Sequence, residues 1–250
     1  MRKSIVKFSL GISIMLSIVS CVQEPNAQEL IDKTIEVAGG DAYSGSLIEF
    51  DFRKVHYKGR KNADGFKMSR LFYKDTSKVY DAMTADVFIR TINDVNVSLE
   101  DSTISKYRNS INSVFYFALL PFGLNDAAVQ KKYLDQVTIH EKEYYKIEVT
   151  FMQEGGGVDF EDVYVYWINT ETNKIDFLAY SFEVNGGGLR FREAYNERYV
   201  NGIRFVDYVN YKVDPNQTDV YGLDKQYQEN QLEEISRIEL EEINVQLTNS

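Results

Sequence analysis

The chain has 250 residues, a formal net charge of −10, 14% aromatic residues and a single cysteine. So acidic a balance repels phosphates and anionic headgroups, which argues against nucleic-acid binding. A lone cysteine excludes an internal disulfide, while the length suffices for one large domain with a real core.

Met1-Arg2-Lys3 and Lys7 make a basic start, and Phe8 to Val19 is apolar apart from Ser and Gly. This is the layout of a secretory signal peptide. It is too short for a membrane span, which needs about 20 apolar residues. In the stretch Leu16 to Cys21, Ile18 stands three before the cysteine and the small Ser20 just before it, so the stretch resembles a lipobox. Cleavage there makes residues 1–20 a signal peptide and Cys21 the lipid-bearing first residue of the mature protein. Two or three acyl chains, at about 0.8 kcal/mol per buried CH2, anchor stably. Residues 21–27, with Pro25 and Asn26, read as a lipidated tether, and residues 28–250 as a single β-rich domain. No acidic run follows Cys21. The expected location is the cell envelope, lipid-anchored in the outer membrane and facing the periplasm.

Gln28 to Ala38 places Leu30, Ile31, Thr34, Ile35 and Ala38 at helical spacing, and Gly39-Gly40 ends the helix. Alternating segments follow: Leu47 to Tyr57, Phe66 to Tyr73, Lys78 to Arg90 and Val95 to Ile104. Long alternating strands with short polar turns predict an antiparallel meander. Ser110 to Tyr133 is too apolar for a loop and reads as one or two helices around Pro121, with Asn125 capping the second. Strands resume at Gln136–His140, Tyr144–Met152, Val158–Ile168, Ile175–Val184, Leu189–Tyr199 and Ile203–Val213. Leu223 to Gln231 reads as a short helix. Ile235 to Leu247 reads as a last strand with a bulge at Glu241-Glu242. The total is about ten strands, one amino-terminal helix and one central helical insert.

That order of elements behind a lipobox resembles the LolA/LolB-like fold. The segments QELIDKTIEVAGGDAY (28–43), YFALLPFGLNDAAV (116–129) and 165–211 also resemble an uncharacterised family of outer-membrane lipoproteins of the Bacteroidetes type. The resemblance implies a mainly β (α+β) fold. A curved antiparallel sheet forms an unclosed half-barrel, with the amino-terminal helix and the central insert plugging its concave side. It further implies a hydrophobic ligand, a lipid or acyl chain, and nothing sharper, since fold does not fix function.

Two glycine triplets, 155–157 and 186–188, precede Val158-Asp159-Phe160-Glu161-Asp162 and Leu189-Arg190-Phe191-Arg192-Glu193. If the intervening strands form a hairpin, both triplets lie at one end of the sheet. Asp159 and Glu161 then sit two strands from Arg190 and Arg192, roughly 10 Å at about 4.8 Å per strand. That would make a polar rim whose arginines meet an acidic group; solvent-facing charges beside loose turns would read the same way. The aromatic run carrying Phe115, Phe117, Leu120 and Phe122 lines a cavity or forms core. Trp167 points away from Tyr164 and Tyr166 by alternation. The candidate ligand-binding residues are therefore Phe115, Phe117, Leu120, Phe122, Trp167, Arg190 and Arg192.

His56 and His140 share no metal-binding spacing. No G-x-S-x-G elbow occurs, and neither triplet is a phosphate loop. We therefore expect no cofactor, no metal and no catalytic residue. The favoured function is a non-enzymatic envelope lipoprotein that carries a hydrophobic ligand. The alternatives are a lipid-anchored interaction platform for envelope proteins and, behind it, a hydrolase.

Overall fold

The computed structural model describes residues 24–62, 65–154, 160–182, 187–214, 216 and 219–247. The signal segment and Cys21 lie outside the described residues, as do the first glycine triplet, Val158 and Asp159. Helix α1 is Ala27–Val37. Its first turn is capped by the Asn26 side chain, which accepts from the backbone N–H groups of Gln28 and Glu29. Gly39, at φ 134°, takes the chain out of the helix where a Cβ would meet the Gly202 carbonyl at 3.0 Å.

Among the described residues fourteen strands follow. β1 (Leu47–Phe52), β2 (Val55–Asn62), β3 (Gly65–Lys74), β4 (Ser77–Met83), β5 (Phe88–Ile92) and β6 (Val95–Asn96) precede helix α2 (Asp101–Ala118). Then come β7 (Val129–Ile139), β8 (Lys142–Phe151), β9 (Tyr164–Asn169), β10 (Ile175–Phe182), β11 (Gly188–Val200) and β12 (Ile203–Lys212). Helix α3 (Leu223–Gln228), β13 (Glu233–Ile238) and β14 (Glu241–Gln246) close the chain. The strands form two seven-stranded sheets, ordered β14-β1-β2-β3-β4-β5-β6 and β13-β12-β11-β10-β9-β8-β7. Every named pairing is antiparallel. The expected meander and its open, unclosed form are present, divided between two sheets rather than carried by one.

The sheets meet where β13 passes to β14. Buried Asp207 accepts there from the Leu240 N–H at 3.0 Å, from Asn196 Nδ2 at 2.6 Å and from Arg198 Nη2 at 2.9 Å. Arg198 also donates to the Leu240 carbonyl. The chain thus crosses between sheets with its backbone groups satisfied by side chains.

Helix α2 joins the two halves. Ile111 and Phe115 pack on Ile48, Phe50 and Tyr57 of the first sheet. Tyr116 and Phe117 pack on the second sheet, among Tyr164, Tyr166 and Tyr180, beside Leu30 and Ile31 of α1. We call the faces turned toward α1 and α2 the inner faces. The outer face of the second sheet is covered too, because Val220 and Leu223 pack on Val165, Trp167, Phe177 and Phe191. That double cover explains why all six residues of β9 are buried.

Several boundaries differ from the sequence reading. Leu47–Tyr57 is a hairpin, with Arg53 and Lys54 at φ 51° and 64° in its turn. This is the paired left-handed geometry of a tight hairpin without the Asn-Gly sequence that announces one. Lys78–Arg90 likewise divides into β4 and β5. Val95–Ile104 is not one strand: β6 ends at Asn96 and α2 begins at Asp101. Ile104, Tyr107, Arg108, Ile111, Phe115 and Ala118 turn inward at helical spacing. No second helix starts at Asn125. Its side chain instead bridges Asp32 and Gln28 of α1 at 2.7 and 2.8 Å. The supposed final strand is β13 plus β14, in different sheets. The bulge expected at Glu241-Glu242 is present within β14, where the register against β1 shifts between Glu241 and Asn244 and Glu242 stands at φ 49°.

Candidate functional site

The inner face of the second sheet is set by alternation along three paired strands. Tyr180 lies opposite Arg190, and Leu178 opposite Arg192. Arg192 in turn lies opposite Asn210, and Ala194 opposite Tyr208. Leu189 and Phe191 therefore enter the outer core, while Arg190 and Arg192 turn toward α2. Between this face, α2 and the β1–β2 turn lies a cavity of about 430 Å³. Its apolar wall includes Phe117 and Val114 of α2, Tyr164, Tyr180 and Phe182 of the sheet, and Val206 and Tyr208 of β12. The volume falls within the roughly 300–1,000 Å³ typical of small-molecule sites.

The aromatic wall is ordered by ring contacts. Tyr164 and Tyr180 stack at 5.5 Å, and Phe117 meets Tyr180 at 5.3 Å. Deeper, the hydroxyls of Tyr116 and Tyr166 hydrogen-bond to each other. Burial pushes both hydroxyls above their ordinary pKa. Burial also raises that of Tyr208, opposed by the positive charges of Arg204 and Arg192.

Arg192 is the unusual member. It is 8% exposed, with its guanidinium carbon 3.9 Å from the Phe117 ring centroid and 5.1 Å from that of Tyr180. Nη2 donates to the Tyr180 hydroxyl at 2.8 Å. Nε and Nη1 are buried without a hydrogen-bond partner. Asn210 beside it donates to Ser236 Oγ at 3.1 Å and leaves Oδ1 without a partner. Arg190 stacks on Phe182 and donates to the Leu189 carbonyl. Arg53 and buried Asp162 complete the charged part of the described wall.

The structure thus brings together three of the residues singled out in the sequence, Phe117, Arg190 and Arg192. The others sit elsewhere. Phe115 is wedged among Phe50, Tyr57 and Phe66 against the first sheet. Leu120 is in the core beneath α1. Phe122 stacks on Tyr43, with the Lys61 ammonium 4.7 Å from its ring centroid. Trp167 is buried on the outer face, against Phe191 and the Lys146 ammonium. Of the two acidic residues expected near the arginines, Asp159 lies outside the described residues and Glu161 is exposed and not among the cavity's lining residues; Asp162, not singled out in the sequence, lines the cavity instead.

The sequence reading missed Tyr180, Phe182, Tyr208, Asn210 and Arg53. The first four could have been found by carrying the parity of Arg190 and Arg192 across the neighbouring strands. Arg53 could not, because its turn was not visible. Elsewhere, His56 pairs with Asp51 at 2.7 Å and His140 packs edge-on against Tyr227. Among the described residues no group of three or more His, Cys, Asp or Glu side chains could hold a metal ion, and no helix is long and apolar enough to cross a membrane.

A family model described as a family of unknown function (DUF6503) matches residues 7–240. No curated protein matches the chain. Among solved structures, the chain is similar to a LolA-superfamily protein from Nitrosomonas europaea, with a TM-score of 0.45 and 11% identity, covering 76% of this chain and 87% of that one. It is also similar to a putative outer membrane lipoprotein-sorting protein domain from Vibrio parahaemolyticus, with a TM-score of 0.40, 10% identity and coverage of 81% and 99%. A DUF1329-family protein from Desulfovibrio piger gives a TM-score of 0.38, 11% identity and coverage of 74% and 86%.

Proposed function

The chain belongs to that family of unknown function, and from this premise we propose that it is a lipid-anchored envelope protein that binds an apolar ligand, a lipid or acyl chain, without transforming it. The supporting observation is the cavity of about 430 Å³ between α2 and the second sheet. An opening of this size walled by Phe117, Tyr164, Tyr180 and Phe182 leaves apolar surface uncovered that a chain of methylenes would bury, at about 0.8 kcal/mol per CH2. Binding is favoured over hydrolysis because the described wall sets no imidazole beside the Ser113 hydroxyl, and its carboxyl group, Asp162, already has interactions of its own. In this reading Cys21 carries the anchor, in the outer membrane and facing the periplasm. The acylated amino-terminal peptide would appear by mass spectrometry of the membrane-extracted protein.

The test is organic extraction of the full chain purified from a Gram-negative host, with mass spectrometry of the extract. A stoichiometric lipid or fatty acid is expected. It should be lost in Ser113→Trp, because Ser113 is an exposed residue of α2 on the cavity wall and an indole there fills the opening. Melting of that variant equal to that of the delipidated wild type would show that only the cavity was affected. A clean extract, with no uptake of a fluorescent acyl probe, would refute the reading. The second reading, a platform for envelope proteins, draws on the exposed Tyr80 and Ile89 of the first sheet and Val87 in the turn between β4 and β5, and it would then lead.

A further inference from the structure

We propose that the ligand of this cavity is an anionic amphiphile, its acyl or alkyl chain lying on the aromatic wall and its charged head, a carboxylate or phosphate, held at Arg192. The proposal deepens the apolar-ligand reading and rests on it. A guanidinium has five N–H donors and no acceptor. In Arg192 the Nε and Nη1 donors are buried without a partner. Buried donors are normally satisfied, and an exception calls for a missing partner. Among the described residues Arg192 forms no salt bridge, whereas buried Arg70 and partly buried Arg90 both pair with Asp81.

The groups around Arg192 suit an anion. Tyr180 accepts from Arg192 through its hydroxyl oxygen and so retains its own O–H to donate. The Asn210 amide has one end on Ser236 Oγ and the other without a partner. A hydroxyl can donate or accept, so the amide can turn its N–H toward an oxyanion without losing Ser236. Among the described lining residues three arginines, Arg53, Arg190 and Arg192, face one carboxylate, Asp162, which has interactions of its own. The overall charge of −10 does not oppose this at short range, because charges beyond about 8 Å are screened at physiological salt. Lauric acid, monododecyl phosphate and dodecanol share a chain and differ in the head, so they separate the charge from the apolar contact.

The experiment measures displacement of a fluorescent acyl probe by each of the three at neutral pH. The full chain is held in lipid nanodiscs, and empty nanodiscs serve as the blank. The acid, the phosphate or both should bind at least about tenfold more tightly than dodecanol, as a charge-assisted hydrogen bond predicts. The tighter of the two identifies the head. Arg192→Met should abolish that advantage and leave dodecanol unchanged. Equal binding of all three would overturn the anionic assignment while the apolar-ligand reading stands. Binding of none would overturn both. An advantage that survives in Arg192→Met would overturn the role of Arg192. If that variant does not fold, the wild-type comparison of acid and phosphate with alcohol still decides.

Discussion

Gly59→Ala tests how α2 is seated over the first sheet. Gly59 lies in β2, and a Cβ there would stand 2.6 Å from Phe115 Cε1, 3.1 Å from Phe115 Cζ and 3.0 Å from Phe66 Cζ. To restore ordinary contact at 3.4 Å, the Phe115 ring must retreat by about 0.8 Å. It has little room, being 2% exposed and packed at 5.5 Å against both Phe50 and Phe66. Overpacking of this kind costs about 1–3 kcal/mol. Alanine recovers about 0.5–1 kcal/mol over glycine in a strand interior, so overpacking wins and the net loss is on the order of 1 kcal/mol. For a domain of this size that lowers Tm by about 2–4 °C, measurable by calorimetry or by the urea midpoint. The loss should shrink in a Phe115→Leu background, because leucine lacks the Cε1 and Cζ atoms that clash and only the Phe66 Cζ contact at 3.0 Å remains. If Gly59→Ala lowers stability equally in both backgrounds, or raises it in the wild type, the proposed contact is wrong.

Asp81 is fully buried between Arg70 and Arg90, at 2.8 and 2.6 Å. Arg90 stacks on Tyr107 of α2 and Arg70 reaches Ser110. Asp81→Asn keeps the shape and leaves a buried and a partly buried cation without their counter-charge, so it should lose about 3 kcal/mol or more; a urea midpoint within error of wild type would refute this. Alkaline pH supplies a separate test. Burial holds the pKa values of Tyr116, Tyr166 and Tyr208 above their ordinary value. The stability they contribute is therefore fully present below pH about 10, where unfolded tyrosine titrates, and is lost as pH rises through the raised folded values. Phenolate absorbance should show exposed tyrosines ionising first and these three only as near-ultraviolet dichroism disappears. A single wave of ionisation in a protein that remains folded would contradict it.

Much of the architecture could be read directly from residue spacing. Gln28 to Ala38 announces α1 to within a residue at each end, because four apolar residues and Thr34 share one face and two glycines follow. Antiparallel pairing in β10 to β12 followed from alternation, and so did the opposed directions of Trp167 and Tyr166. The turn at Arg53-Lys54 did not show, since arginine and lysine in left-handed geometry leave no compositional mark, and neither did the one before Phe88, where Thr84-Ala85-Asp86-Val87 carries no glycine, proline or asparagine. Helix α2 was hidden for a related reason. Its first turn, Asp101 to Ile104, continues a β-branched stretch, and the helical period emerges only when Tyr107, Ile111 and Phe115 are read with it.

Candidate-site parity was legible in the same way, for Arg190-Phe191-Arg192 commits both arginines to one face. Which face encloses the cavity was not legible. Alternation separates two faces, and hydropathy identifies the covered one only when the other meets water. In the second sheet both are covered, one by α1 and α2 and the other by Val220 and Leu223. Trp167 therefore reads as no less buried than Tyr166. The sequence by itself determined the helix, the strand polarity and the pairing of Arg190 with Arg192 on one side. Tertiary structure decided that this side faces α2 and that Phe117, rather than Phe115, reaches Arg192, because the packing of one helix against two sheets is a long-range choice that no local spacing encodes.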